Sequence, residues 1–105
     1  MAYVMFQYDR PTEPHRWNDY NQHVRDWIAQ LLQIPGAVSF VAYRTSDGAS
    51  PDTTTMLEFR TVEDSRRAQA SEQLQRVLDG LRSVGVVAKV LLVERSPFTP
   101  EPFQA

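Results

Sequence analysis

The stretch from Tyr20 to Arg44, YNQHVRDWIAQLLQIPGAVSFVAYR, changes its hydrophobic period once, and that change decides the fold. Up to Ile34 the apolar residues Tyr20, Val24, Trp27, Leu31 and Ile34 recur at steps of three and four, extended upstream by Trp17 and widened by Ile28. That spacing is the stripe of a helix with one buried face. Pro35 disfavours helical geometry at Ile34, and Gly36 can take the positive φ of a tight turn, so the helix stops there. From Ala37 to Thr45 the chain is rich in Val, Phe and Tyr, a strand composition.

Upstream, Val4, Phe6 and Tyr8 alternate with Tyr3, Met5 and Gln7 ahead of DRPTEP, which predicts a first strand ending in a proline-rich turn. Downstream, SDGASPD is a loop by composition and Thr53 to Arg60 is β-branched and apolar again, so the second and third strands form a hairpin with a long, mobile tip. Thr61 with Asp64 resembles a capping box and opens a second helix that carries Ala70, Leu74, Val77, Leu78 and Leu81 on one face. Glu63 to Arg67 and Glu72 to Arg76 are four apart in the favourable order, a solvated face worth a few tenths of a kcal/mol per pair. Gly85 lies in a turn, VVAKVLLVER is a final strand, and the prolines of SPFTPEPFQA forbid regular structure. The order is βαββαβ. Right-handed crossovers fold two such halves into an α+β, ferredoxin-like domain: a four-stranded antiparallel sheet with two helices on one face. The expected domain is 1–95, followed by a Pro-rich tail, 96–105.

A chain of 105 residues supports one domain and one core. Its 11 Lys and Arg against 13 Asp and Glu are spread along the chain, which leaves no broad field to hold phosphates, so nucleic acid is not expected as a partner. The third strand, TTTMLEF, carries an acid where an RNA base would stack. Without cysteine there is no disulfide framework, zinc-thiolate site or thiol nucleophile. The opening MAYVMFQYDR lacks a basic lead-in and a long apolar run, so a soluble cytoplasmic protein with no membrane association is expected. No phosphate loop, Walker pattern, serine elbow or metal motif occurs.

If Leu57 and Phe59 point to the helices, then Met56, Glu58 and Arg60 point away, joined by Tyr3, Met5, Val41, Tyr43, Val87, Leu91 and Val93. Such a face is too apolar to stay wet, and a second copy of the chain is the expected cover, making a homodimer. Glu58 and Lys89 interrupt it and need partners, most simply in a salt bridge.

Among candidate functional residues, His23 falls beside Trp27 and Ile34 at the edge of the helix stripe. It can border a pocket as an acid or base near pH 7, or simply bond a backbone carbonyl at the core boundary. His15 lies on the polar side of the same helix, so a two-histidine metal site is not expected, and no carboxylate partner is assigned to it. Tyr8, Trp17, Trp27, Phe40 and Phe59 could line a cavity for an aromatic or polyketide-like ligand, or fill the core. Tyr43 and Arg44 stand where they could orient an anionic or phenolic group.

The pattern W..Y..H on the first helix, PG before the second strand, YR late in it, and LEFRTVEDSRRA from the third strand into the second helix resembles the dimeric α/β-barrel superfamily. Within it the chain is similar to EthD-like and antibiotic-biosynthesis-monooxygenase-like small proteins. The resemblance implies two sheets meeting face to face in a homodimer, a pocket in each subunit between sheet and helices, and His23 in the place of the first-helix histidine of EthD-like members. It also shows departures. Monooxygenase-like members often carry a tryptophan at the end of the third strand, where this chain has Phe59 and Arg60, and a second-helix histidine, where it has Ala70 and Ser71. Two functions are compatible with this pattern: a metal-free, cofactor-free enzyme of monooxygenase, cyclase or isomerase type using His23 as acid/base on a hydrophobic or aromatic metabolite, and a non-catalytic small-molecule-binding or accessory protein.

Overall fold

The computed structural model describes residues 1–105 and arranges them as β1 (Ala2–Tyr8), α1 (Pro14–Leu32), β2 (Ala37–Arg44), β3 (Thr53–Phe59), α2 (Val62–Gln69), α3 (Glu72–Ser83) and β4 (Lys89–Glu94). The strands form one antiparallel sheet in the order β2-β3-β1-β4, the ferredoxin-like topology. Strand alternation sorts the side chains. Val4, Phe6 and Tyr8 of β1 and Leu57 and Phe59 of β3 are buried beneath the helices together with Tyr20, Trp27, Leu31 and Ile34 of α1. Leu57 and Phe59 are 0% exposed, and burying a side chain of this size is worth about 1.5–3 kcal/mol. No helix is long and apolar enough to cross a membrane.

Each helix begins on a side chain that satisfies its free N–H groups. The Glu13 carboxylate accepts from the His15 and Arg16 N–H groups at 2.8 and 3.1 Å, with Pro14 in the first turn. Thr61 Oγ1 accepts from Asp64 N at 3.0 Å, as the capping pattern leads one to expect. The second helical segment differs from its expected form, because it is two helices. Ser71 Oγ donates to Ala68 O at 2.6 Å and accepts from Leu74 N at 3.2 Å, so one hydroxyl ends α2 and caps α3. A serine that bonds nearby backbone competes with helix continuation, which is why the apolar periodicity runs on while the helix does not. Within α2 the charge pairs differ from the expected one, since Glu63 meets Arg66 and Asp64 meets Arg67, whereas Glu72 and Arg76 pair as expected.

The hairpin tip is another departure. Instead of a free loop it is tied to the end of β1, with Asp9 Oδ2 accepting from Ser50 Oγ at 2.6 Å and Asp9 Oδ1 from Asp52 N at 2.9 Å. Arg10 returns the contact, its backbone N–H and Nε donating to Asp52 Oδ1 at 3.1 and 3.3 Å.

On the far face of the sheet the register aligns Tyr3 with Glu58 and Val93, and Met5 with Met56 and Leu91, while Val41 lies opposite Met56 and Tyr43 opposite Thr54. Arg60 and Val87 fall just outside their strands. Glu58 accepts a hydrogen bond from Ser39 Oγ at 3.1 Å, and no ion pair joins it to Lys89 within the chain.

Candidate functional site

On the helix side, α1 lies over the edge strand β2 and leaves a cleft along their seam. Beyond the register shift near Ser39, strand parity turns Phe40, Ala42 and Arg44 toward α1, opposite Leu57, Thr55 and Thr53. The inner part is an apolar cavity of about 30 Å³, walled by Phe6, Trp27 and Leu31 and closed by Val77 and Leu81 of α3. The outer part holds about 200 Å³ and adds Arg10, Tyr20, Asn21, Ala42, Arg44 and Thr53. Tyr8, Val24, Ile28, Phe40 and Thr55 line both, which makes them one continuous recess.

The inner volume admits little more than a water molecule, so the room for anything larger lies in the outer part. There the Tyr8 and Tyr20 hydroxyls bond each other at 2.7 Å. Burial, then the bond to Tyr20, pushes the Tyr8 phenol well above its ordinary range, so Tyr8 remains an O–H group at neutral pH. A row of rings supports the pair: Tyr20 stacks on Trp17 at 6.1 Å and meets Trp27 at 6.0 Å. Arg10 completes the rim, its guanidinium 5.6 Å from the Trp17 ring and bonded to Asp52. Burial pulls the Asp52 carboxyl upward, but hydrogen bonds from Thr53 and Arg10 outweigh it and hold the group below the usual carboxylate value.

Comparison with known proteins gives this geometry a lineage. The family model described as Domain of unknown function (DUF1330) matches residues 1–96. The chain belongs to the DUF1330 family. No curated protein matches it in sequence. Among solved structures it is similar to SnoaB, a cofactor-independent oxygenase from Streptomyces nogalater, at 16% identity and a TM-score of 0.68 over 95% of this chain and 97% of that one. An EthD family protein from Bacillus halodurans matches at 12% identity and a TM-score of 0.68, covering 91% of this chain and 99% of its own. An antibiotic-biosynthesis-monooxygenase-like protein from Deinococcus radiodurans matches at 13% identity and a TM-score of 0.66, covering 100% and 98%. These likenesses establish the fold that the sequence resemblance implied.

Within the DUF1330 chain, four of the residues singled out by sequence meet in the cleft: Tyr8, Trp27, Phe40 and Arg44. Tyr43 lies on the opposite face, because neighbours in a strand point to opposite sides, and it is 57% exposed there. Phe59 is core, fully buried away from the cleft lining, and Trp17 supports Tyr20 from outside it. His23 is exposed and lines neither part of the recess. Its ring stacks on Trp27 at 5.9 Å, and its Nδ1 bonds the Asp19 carbonyl at 2.8 Å. Contrary to expectation, His15 does have a carboxylate neighbour at helical spacing: Asp19 stands four residues on, with Oδ2 3.6 Å from Nε2. Arg10, Tyr20, Asn21 and Thr55 complete the cleft without having been singled out as site residues, although the helical spacing of Tyr20, Val24 and Ile28 already places Tyr20 on the side of α1 that lines it.

Proposed function

We propose that this DUF1330 chain works as a homodimer in which each subunit binds a small, largely apolar molecule in the cleft between α1 and β2. The observation that carries the reading is the gradation of that cleft, an apolar floor under a mouth furnished with hydroxyls, an amide and guanidinium groups. This is the make-up of a small-molecule site, where apolar walls supply affinity and a few polar groups supply orientation. A volume of about 200 Å³ matches a single ring, since an engineered cavity of about 150 Å³ takes up benzene. Fused polycyclic ligands would have to leave most of their surface outside. Titrating the protein with single-ring compounds and following Tyr8, Trp27 and Thr55 by NMR tests the reading; uniform, unsaturable shifts would reject it.

The homodimer is supported by the far sheet face, where Tyr3, Met5, Met56, Leu91 and Val93 are only half covered and Val41 and Tyr43 are exposed. A patch of this kind is normally buried against a partner.

A second reading, turnover of the monooxygenase type with His23 as acid/base, is favoured by one observation. The Asp19 carbonyl can only accept, so Nδ1 carries a proton and Nε2 is the ring nitrogen left without a partner in the chain. The fold shared with SnoaB supports the same reading at the level of architecture. His23→Ala is expected to leave the fold intact. If the variant also leaves any measured turnover and ligand affinity unchanged, the acid/base role is rejected.

A further inference from the structure

Every polar group around the cleft mouth can donate a hydrogen bond, and the only charges there are positive. Arginine, tyrosine, threonine and asparagine line it, and no carboxylate does. Several are already engaged. Arg10 is bonded to Asp52 and lies over Trp17, and the Thr53 hydroxyl donates to Asp52 Oδ1 at 2.8 Å. Four groups are left over, the exposed Asn21 amide among them. Arg44 forms no ion pair and no side-chain hydrogen bond within the chain. Thr55 is 4% exposed, yet its hydroxyl has no hydrogen-bond partner in the chain and lines both parts of the recess. In the Tyr8–Tyr20 pair one O–H is spent on the other oxygen, so the second proton remains to be donated. Arg44 and Asn21 are exposed and the other two open onto the recess, so all four are free to donate to whatever occupies it.

On the basis of the cleft reading above, we infer that the ligand is a single-ring monocarboxylic acid, held with its ring against Phe40 and Ile28 and its carboxylate at Arg44. A guanidinium matches a carboxylate with two parallel bonds, and the spare hydroxyls of Thr55 and the tyrosine pair can fill the remaining lone pairs. Because Tyr8 is kept protonated by its burial, the pair acts as a donor and does not repel the anion. The apolar part of the ligand then faces the floor, where a charge would be left without partners.

The test compares phenylacetate with phenylacetamide, which have nearly the same shape and differ in charge. Binding to the intact protein is followed by calorimetry and by the NMR signals of Thr55 and Trp27. Phenylacetate is expected to bind at least about tenfold more tightly, the range of a hydrogen-bonded charge. Arg44→Gln, at an exposed position, is expected to abolish that preference while leaving the affinity for the amide unchanged, and Thr55→Val to weaken the acid alone. Equal binding of acid and amide to the unaltered protein would overturn the carboxylate assignment and leave the apolar cleft standing. A preference that survives Arg44→Gln would overturn the role of Arg44. Binding of neither compound at millimolar concentration would overturn both the assignment and the cleft reading beneath it.

Discussion

The phenolic oxygens of Tyr8 and Tyr20 lie 2.7 Å apart, joining the last residue of β1 to the second turn of α1 under the mouth of the cleft. Both residues are buried, and their hydroxyls can reach water only through the cleft. Tyr20→Phe should therefore destabilise the fold by about 1–3 kcal/mol, the cost of stranding a buried polar group. Phe at both positions should cost less than the sum of the two single changes. Denaturant unfolding of the four proteins measures the cycle, and strict additivity would show the bond to be energetically idle.

The raised ionisation of Tyr8 has a direction in pH. Its phenol titrates higher in the folded chain than its ordinary value near 10, so the unfolded state loses that proton first. The contribution is fully present below pH 10 and is lost progressively as pH rises above it, toward the folded value. Thermal unfolding followed across this range should show a declining melting temperature, with a shallower decline in Tyr8→Phe.

Met56 and Met5 sit side by side at the centre of the far sheet face. Met56→Lys puts a charge there with little effect on the core beneath, since the side chain points away from the helices. Sedimentation should give twice the 12.1 kDa of one chain for the unaltered protein and the single-chain mass for the variant. A single-chain mass for both would rule out the homodimer.

Gly80 brings α3 close to α1: a Cβ at this position would lie 2.6 Å from Trp27 Nε1. Alanine gains about 1 kcal/mol in helix propensity, but overpacking a buried ring costs about 1–3 kcal/mol. Gly80→Ala should come out destabilising by up to about 2 kcal/mol and should shift Trp27 fluorescence, since that ring must move within the cavity wall. A more stable variant with unchanged fluorescence would mean that the helices separate freely.

The C-terminal tail turns back through Thr99 N to Ser96 O and leaves Phe98 and Phe103 almost fully exposed. We propose that these rings anchor on the second subunit, their ordering cost reduced by Pro97, Pro100 and Pro102. Removing residues 96–105 should raise the dimer dissociation constant, and an unchanged constant would leave the tail without that role.

Much of this architecture is legible in local pattern. The period change at Pro35 and Gly36, the alternation of Val4, Phe6 and Tyr8, and the stripe on α1 each report burial, and burial dictates the layers. The Ala70–Ser71 break escapes periodicity because Ser71 alters capping and not hydrophobicity. The cleft was half legible. Parity alone separates Tyr43 from Arg44, so the pair could never have shared one site. The Arg10–Asp52 and Asp9–Ser50 ties join residues more than forty apart, and no local spacing announces them.

The graded lining of the cleft also has a temporal consequence. On the proposed reading, a molecule with one charged end and one apolar end would keep its head at the guanidinium rim while its ring sheds water against Phe40 and Ile28. Entry would thereby be polarised, with the head in contact with solvent and the ring held above an inner cavity too small to admit it. Whatever chemistry or signal followed, the same carbon atoms would be presented to the interior every time.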